Sequence, residues 1–461
     1  MHLILRNATH HDGARVDIGI EDGKITAIEA QIAATAAAEI DAGGRLTLPA
    51  FVNGQLHACK SFWRRLLAEL PPEIQRLPRF EAAAHVKRLY TPENVFARVD
   101  EVMRLAVQNG ACAIRLFADV DADSGLTALE GLLQIRQKYQ RWMTVQVVAF
   151  PQDGFAAPET MRLMHEALDR GADVVGGIPW IERPTAAQQR HVDACFDLAQ
   201  QYDRDLHFVC DDVADPSSRT LEMVARQVLA RGYQGRVSAT QCAALSFYPD
   251  DYAAEVIDLL ADGGMTIFSN SHVSLIATDF EDRQPWPRGI TRVRQLLDAG
   301  VPVACGQDDV DNWFYPFGRN DMLEVAQFMA HNGRFAWNSE VDRVLPMITE
   351  TPARVLGMGN YGLHVGAAAN LVVLDAADWH SAIQFQAAKR YVVLRGEVVA
   401  GDGGATTSTP ITSEKRSTKA HEDTRRQKNR QKAFSLCRPA YPEIRVPLFS
   451  SSWCFVCLRG S

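Results

Sequence analysis

The run from Phe51 to Lys60 contains the first side chains that could do chemistry, Gln55 and His57. Residues i and i+2 of a β-strand project to the same face, so we expect both side chains to point into one pocket. An imidazole can bind a metal or transfer a proton, whereas a neutral amide is a much weaker ligand for a transition metal. This strand therefore predicts a polar pocket with one strong metal ligand.

Polar residues follow several other apolar runs in the same way. A carboxylate at the end of a buried strand is hard to explain by packing, and it can act as a general base when burial raises its pKa. Asp308 is the candidate for that role, and Asp309 follows directly after it. Asp212 is a further carboxylate that comes after an apolar run. His272, which follows another apolar run, and Phe314 are expected to line the same pocket.

Eight apolar strands, separated by helical patterns, must position these residues. They are predicted at 50–57, 112–120, 142–150, 172–178, 205–210, 235–240, 265–269 and 301–305. Eight alternating units are typical of an α/β fold, the (β/α)8 TIM barrel, whose active sites lie at the C-terminal ends of the strands. The candidate residues follow those strand ends, so the pattern predicts one shared site.

Shorter strands are predicted on both sides of the barrel. Residues 16–20 and 24–28 flank Glu21-Asp22-Gly23, which is typical of a hairpin, and further strands are predicted at 369–374 and 391–399. We expect residues 1–50 and 355–401 to form a β-sandwich beside a barrel of residues 51–354.

Bulk composition excludes several classes of protein. With a net charge of −8 over 461 residues, the chain does not resemble a nucleic-acid or membrane-surface binder. It has no apolar run long enough to span a bilayer and no secretory signal, and its nine cysteines lack framework spacing. These features predict a cytoplasmic protein without a nucleic-acid or membrane partner, and a homo-oligomer is compatible with them.

Several segments, in order, resemble the cytosine-deaminase-like members of the amidohydrolase superfamily. They are residues 149–154, 171–179, 288–293, 305–310, 315–318 and 361–363. The resemblance extends from about residue 45 to 400. It implies a barrel hydrolase that holds a divalent metal and acts on a C–N bond of a cyclic amide or amidine.

The family's four metal ligands fall on Gln55, His57, Val209 and Asp308. Valine cannot bind a metal and glutamine binds it weakly, so we expect a degraded metal site and no tightly bound cofactor. His207, two residues before Val209 on the same strand face, is the alternative third ligand. A weakly bound zinc or iron held by His57, Asp308 and His207 is the alternative to a site without metal.

Other positions of the family's site are changed as well. The resemblance places its proton-shuttling glutamate on Asp212 and its catalytic histidine on Gln241. Gln307 stands where a histidine is frequent. The glutamine that holds the amide edge of a pyrimidine falls on Gln152 and is retained. Amides in place of histidines suit a pocket that still recognises a polar ligand.

Three functions fit this pattern. The favoured one is a metal-independent enzyme acting on a pyrimidine, triazine or related heterocycle, in which Asp308 is the general base and His57, Asp212 and Gln152 orient the ring. The second is a metal-dependent deaminase with an altered ligand set. The third is a protein that binds the heterocycle without transforming it. The expected ligand-binding residues are Gln55, Gln152, Gln241, His272, Gln307, Asp309 and Phe314.

The composition changes after residue 401. Residues 402–461 are rich in small, polar and basic residues and show no hydrophobic period, which predicts a disordered tail. Cys454 and Cys457 have the spacing of metal ligands, but no second pair accompanies them.

If that tail buries no core, a chain that ends at Gly401 should melt within about 1 °C of the full-length protein, since surface changes away from the core rarely alter stability. Differential scanning calorimetry of the two chains measures this. A clearly lower melting temperature for the shorter chain would mean that the tail packs on the folded domain.

Overall fold

The computed structural model describes residues 1–77, 79–277 and 289–401, so the predicted tail lies outside the described residues. The strands, in chain order, are β1 Leu3–Thr9, β2 Arg15–Glu21, β3 Lys24–Glu29, β4 Ala38–Asp41, β5 Thr47–Pro49, β6 Phe51–Leu56, β7 Ala111–Asp119, β8 Thr144–Phe150, β9 Val174–Gly177, β10 Asp205–Cys210, β11 Val237–Gln241, β12 Thr266–Phe268, β13 Val303–Ala304, β14 Leu371–Leu374, β15 Lys389–Leu394 and β16 Glu397–Gly401.

Helices connect these strands. The α-helices are α1 Trp63–Leu67, α2 Pro72–Gln75, α3 Arg79–Lys87, α4 Pro92–Gln108, α5 Thr127–Tyr139, α6 Pro158–Asp169, α7 Thr185–Tyr202, α8 Thr220–Ala230, α9 Asp250–Asp262, α10 Ser271–Ala277, α11 Val293–Asp298, α12 Met322–Asn332, α13 Glu350–Val355 and α14 Trp379–Phe385. The 3-10 helices lie at Ala58–Lys60, Pro179–Ile181, Ala243–Phe247 and Asn338–Ile348. Among the described residues, none of these helices has the length and apolar content to cross a bilayer.

The eight strands β6 to β13 form one parallel sheet in sequence order. The sheet closes on itself next to Asp308, whose main-chain N–H donates to the carbonyl of Gln55 at 2.9 Å and whose carbonyl accepts from the N–H of His57 at 2.7 Å. The predicted TIM barrel is confirmed. Its strands could be recognised because strands buried on both faces read as nearly continuous apolar runs.

Two smaller sheets lie beside the barrel, in the orders β3-β2-β1-β4 and β16-β15-β14-β5. Inward-facing residues of both sheets, such as Ile18 and Val393, share one apolar cluster. The predicted hairpin at Asp22-Gly23 is present, with both residues at positive φ. The sequence predicted one strand at 391–399, but the structure has two antiparallel strands there, β15 and β16. Arg395 and Gly396 take positive φ and form the turn between them.

The start and the buried face of helix α4 are determined by its local sequence. Thr91 caps its first turn by accepting a hydrogen bond from the N–H of Asn94 at 3.2 Å, and Pro92 fills the first helical position. Its apolar face, which includes Val95, Val99 and Met103, is fully buried. Both features agree with the sequence signal for this helix.

Candidate active site

Asp308 lies at the centre of the site, at the C-terminal end of the barrel. Its carboxylate accepts one hydrogen bond from Nε2 of Gln55 at 2.9 Å and a second from Nε2 of Gln241 at 2.5 Å. Nε2 of His57 lies 3.6 Å from the same carboxylate. The structure therefore brings together four of the residues that the sequence placed in the pocket.

Both Asp308 and Gln241 are held in the left-handed region of backbone conformation, with φ of 63° and 66°. Residues other than glycine adopt this conformation at a cost that surrounding contacts must offset, and such residues concentrate at functional sites. The strain has a structural use here, because it turns both side chains from their strand ends toward each other.

Burial raises the pKa of Asp308 well above its ordinary value, and the nearby charges of Asp309 and Asp212 raise it further. The pKa of Asp309 rises to about 6, again through burial, and its side chain accepts a hydrogen bond from Asn312. The three carboxyl groups therefore compete, and they cannot all be ionised at low cost.

Asp212 and its neighbour Asp211 have different roles. Asp211 caps helix α8 by accepting hydrogen bonds from the N–H groups of Thr220 and Leu221 at 2.9 and 2.8 Å. Asp212 is half-buried and faces the site, and burial together with the charge of Asp309 raises its pKa to about 7. Asp212 can therefore exchange a proton near neutral pH.

Sequence reasoning assigned no role to Lys60, which is only 3% exposed beside the site. Its ammonium donates to Nδ1 of His57 at 3.3 Å and to the side-chain oxygen of Gln152, and lies 3.4 Å from Asp119. Because an ammonium is only a donor, His57 accepts through Nδ1, and a neutral ring then has its proton on Nε2. Asp119 is the last residue of β7 and Lys60 lies in the turn after β6, and this position at a strand end is the signal that would have identified them.

A cavity of about 220 Å³ opens beside this group, lined in part by Lys60, Gln152, Trp63 and Phe314. The ammonium of Lys60 lies 5.8 Å from the ring centre of Phe314. An aromatic wall next to amide and ammonium groups is the combination that binds a flat, polar ring.

His272 and Gln307 are buried and contact each other. Nε2 of His272 is 2.9 Å from the main-chain carbonyl of Gln307 and 3.3 Å from its side-chain nitrogen. The ring of His272 packs against Tyr315 and Phe328, and burial lowers its pKa to about 4. Their predicted contact with a ligand stays a prediction.

The positions that would hold a divalent metal do not provide a set of ligands in the described part of the chain. No group of three or more histidine, cysteine, aspartate or glutamate side chains there is arranged to bind one. Val209 packs in an apolar cluster with Phe117 and Phe150. His207 accepts from the guanidinium of Arg115 through Nδ1, at 3.1 Å.

Comparisons with known proteins agree with the barrel fold. The model of the Amidohydrolase family matches residues 71–400. N-isopropylammelide isopropyl amidohydrolase from Pseudomonas sp. is 31% identical over 414 residues, which cover 87% of this chain and 97% of that protein. Pterin deaminase from Rhizobium rhizogenes is 26% identical over 391 residues, covering 84% of this chain and 88% of that protein.

A solved structure is similar over the whole barrel and sandwich. The crystal structure of 5-methylcytosine deaminase from Klebsiella pneumoniae, liganded with 5-fluorocytosine, superposes with a TM-score of 0.80 at 31% identity. The match covers 89% of this chain and all of that one. The barrel, the polar strand ends and these similarities identify the chain as a member of the amidohydrolase family.

Proposed function

We propose that this protein hydrolyses a C–N bond of a cyclic amide or amidine, a pyrimidine, triazine or related ring, without a tightly bound metal. The observation that carries the proposal is the buried carboxyl group of Asp308, held by two amides beside a cavity that retains Gln152. The relatives support the substrate class, since the names of three describe the hydrolysis or deamination of nitrogen heterocycles.

We propose that Gln152 recognises the ring by hydrogen bonds. Its side-chain oxygen accepts from Lys60, so its amide N–H groups remain to donate to a ring carbonyl or nitrogen. Phe314 supplies a flat wall for the ring. Lys60, which lines this cavity, contacts His57, and Nε2 of His57 lies 3.6 Å from the carboxylate of Asp308, so these two residues connect the cavity to the proposed base.

The chemistry requires one proton acceptor and one proton donor. Asp308 takes a proton from water as the oxygen forms its bond to the ring carbon. The C–N bond then breaks, and the amine leaves with a proton from Asp212. A carboxyl group with a pKa of about 7 is suited to donate this proton near neutral pH.

The proposed absence of a tight metal rests on the residues that stand in the ligand positions. Metal-bound histidines normally donate their second ring N–H to a carboxylate or carbonyl, which leaves the ligating nitrogen unprotonated. His57 and His207 instead accept from Lys60 and Arg115, and this places the ring proton on Nε2. That protonation argues against the alternative with His207 as third ligand.

The second candidate function is binding without turnover. One observation favours it, because both oxygens of Asp308 already accept hydrogen bonds from amides. Hydrogen bonds to a carboxylate favour its charged form and weaken it as a base. Turnover assays on any heterocycle that binds distinguish the two functions.

Protein purified from medium supplemented with zinc and iron should contain well under one equivalent of either metal, because two strong protein ligands are too few to bind the metal tightly. Inductively coupled plasma mass spectrometry measures this. The double variant Gln55→His/Val209→His is the positive control and should bind more zinc. Near one equivalent in the wild type, lost in His57→Ala, would restore the metal-dependent alternative.

A panel of pyrimidines and triazines should contain at least one ligand. Gln152→Ala should weaken its binding about 10- to 100-fold, since an unpaired buried polar group costs roughly 1–3 kcal/mol. Gln140→Ala, at an exposed position, is the matched control. Isothermal titration calorimetry measures both affinities, and equal binding by the wild type and Gln152→Ala would remove this residue from the site.

Asp308→Asn should abolish turnover of that ligand and leave its binding largely intact, because an amide keeps the shape but cannot accept a proton. Asp311→Asn is the control: Asp311 also has positive φ, and its side chain is 28% exposed. Initial rates of turnover measure the effect of each substitution. A wild-type rate in Asp308→Asn would contradict the assignment of Asp308 as general base.

Asp212 should also make stability depend on pH. Its folded pKa of about 7 exceeds the ordinary value of 3.8, so the protonated form is favoured by folding and that stability is lost as pH rises from about 4 to 7. Asp212→Asn should therefore gain about 2 kcal/mol relative to the wild type over this range, less than the full pKa difference gives because water reaches the carboxyl group.

Urea unfolding at several pH values measures the difference, with Glu255→Gln on an exposed face of α9 as the control. A pH-independent difference between Asp212→Asn and the wild type would mean that this carboxyl group titrates normally.

A further inference from the structure

The amide of Gln152 is bonded to a buried lysine at its oxygen end, and its nitrogen end has no partner in the protein. The oxygen accepts a hydrogen bond from the ammonium of Lys60, and both residues line the cavity beside the site. Within the described part of the chain, the side-chain nitrogen of Gln152 donates to no protein group. That nitrogen is therefore the end of the amide that can bond to a molecule in the cavity.

The contact with Lys60 determines which way the amide faces. The two ends of a glutamine amide have nearly the same shape, so an unrestrained side chain can present either its oxygen or its nitrogen to a ligand. An ammonium has three donors and no acceptor. A half-turn of the Gln152 amide would place its N–H groups against those of Lys60, so the oxygen stays on the lysine and the nitrogen remains the donor.

Lys60 is itself held in place by buried groups. Its ammonium lies 3.4 Å from a carboxylate oxygen of Asp119, which is fully buried, and 3.3 Å from Nδ1 of His57. Neither carboxylate oxygen of Asp119 has a hydrogen-bond partner among the described residues, so the nearby ammonium is needed to offset the cost of its burial. The ion pair keeps the ammonium of Lys60 beside the amide.

A second ion pair from the same strand end holds the main chain next to Gln152. Lys87, which is only 2% exposed, donates to Asp121 at 2.7 Å and to the two carboxylate oxygens of Asp153 at 2.9 and 2.8 Å. Asp121 lies two residues after Asp119 at the end of β7, and Asp153 directly follows Gln152. The loop that carries the amide is therefore tied to the end of β7, which fixes the point from which the side chain extends.

We propose that Lys60 and Asp119 set the specificity of this cavity by fixing the orientation of the Gln152 amide. The cavity then selects a ring that presents an acceptor to Gln152, either an oxo group or an unprotonated ring nitrogen. A ring with an amino group at that position is rejected, because two donors that face each other are left unpaired. This inference rests on the proposed function, since it requires a heterocycle to bind beside Gln152. Lys60 and Asp119 are positioning residues, because they act through the amide.

Two ring compounds of matched shape test this selection. 1-Methyl-4-pyridone and 4-methylaniline have the same arrangement of heavy atoms, but the exocyclic group is an acceptor oxygen in the first and a donor amino group in the second. The wild type should bind the pyridone about 10-fold tighter, the cost of one unpaired polar group. Gln152→Ala should bind both compounds weakly and with similar affinity. Isothermal titration calorimetry measures the affinities.

Three variants separate the ion pair from the amide. Lys60→Met/Asp119→Asn removes both charges together, so the amide can turn and the preference should nearly disappear. Lys60→Glu/Asp119→Asn presents acceptor oxygens to the amide, which should turn its own oxygen to the cavity and reverse the preference. Gln152→Glu keeps Lys60 and Asp119 and replaces the donor with a second acceptor, so it should also favour 4-methylaniline. Lys24→Met, at an exposed position, is the control.

The results distinguish this inference from the proposed function. A preference for the pyridone that persists in the two double variants would contradict the role of the ion pair. If a double variant does not fold, as circular dichroism would show, Gln152→Glu still tests the orientation, and a retained preference for the pyridone there would overturn the inference. A wild type that binds a ring of the panel without preferring the pyridone would overturn the inference alone. A wild type that binds no ring would overturn both.

Discussion

The closure of the barrel at Asp308 is the constraint on which the site depends. The main chain of this residue bonds on one side to Gln55 and on the other to His57, although it lies 253 positions from Gln55 in the chain. The side chain is then held by amides from β6 and β11. The same few bonds complete the sheet and fix the carboxylate, so the geometry of the site is as rigid as the barrel itself.

Charge inside the barrel is balanced by fixed side chains. Asp212, Asp308 and Asp309 crowd together, and their mutual repulsion and burial favour protonated forms. The charge of Lys60 lowers the pKa values of Asp308 and Asp309, and Arg115 is a second buried basic side chain inside the barrel. Here each cation also orients a histidine, so electrostatics and hydrogen-bond direction are set by the same contacts.

Much of this arrangement followed from sequence pattern. Apolar runs of strand length with helical patterns between them predicted the barrel, and the rule that sites lie at strand ends placed Gln55, Gln241 and Asp308 together. Side-chain contacts between barrel strands that are distant in sequence could not be predicted. Arg115 sits in the middle of an apolar strand, and its contact with His207 joins strands 92 positions apart. Nothing local in sequence encodes such a pairing.

Strand β5 leads directly into the first barrel strand, and β14 pairs with β5. Arg45 and Asp375, 330 positions apart, form an ion pair beside this seam. Contacts this distant in sequence slow folding, since a long loop must close before they form. During synthesis on the ribosome, the edge of β5 that pairs with β14 therefore stays open until nearly the whole described chain has emerged. Fragments that end before β14 would expose that edge to other chains.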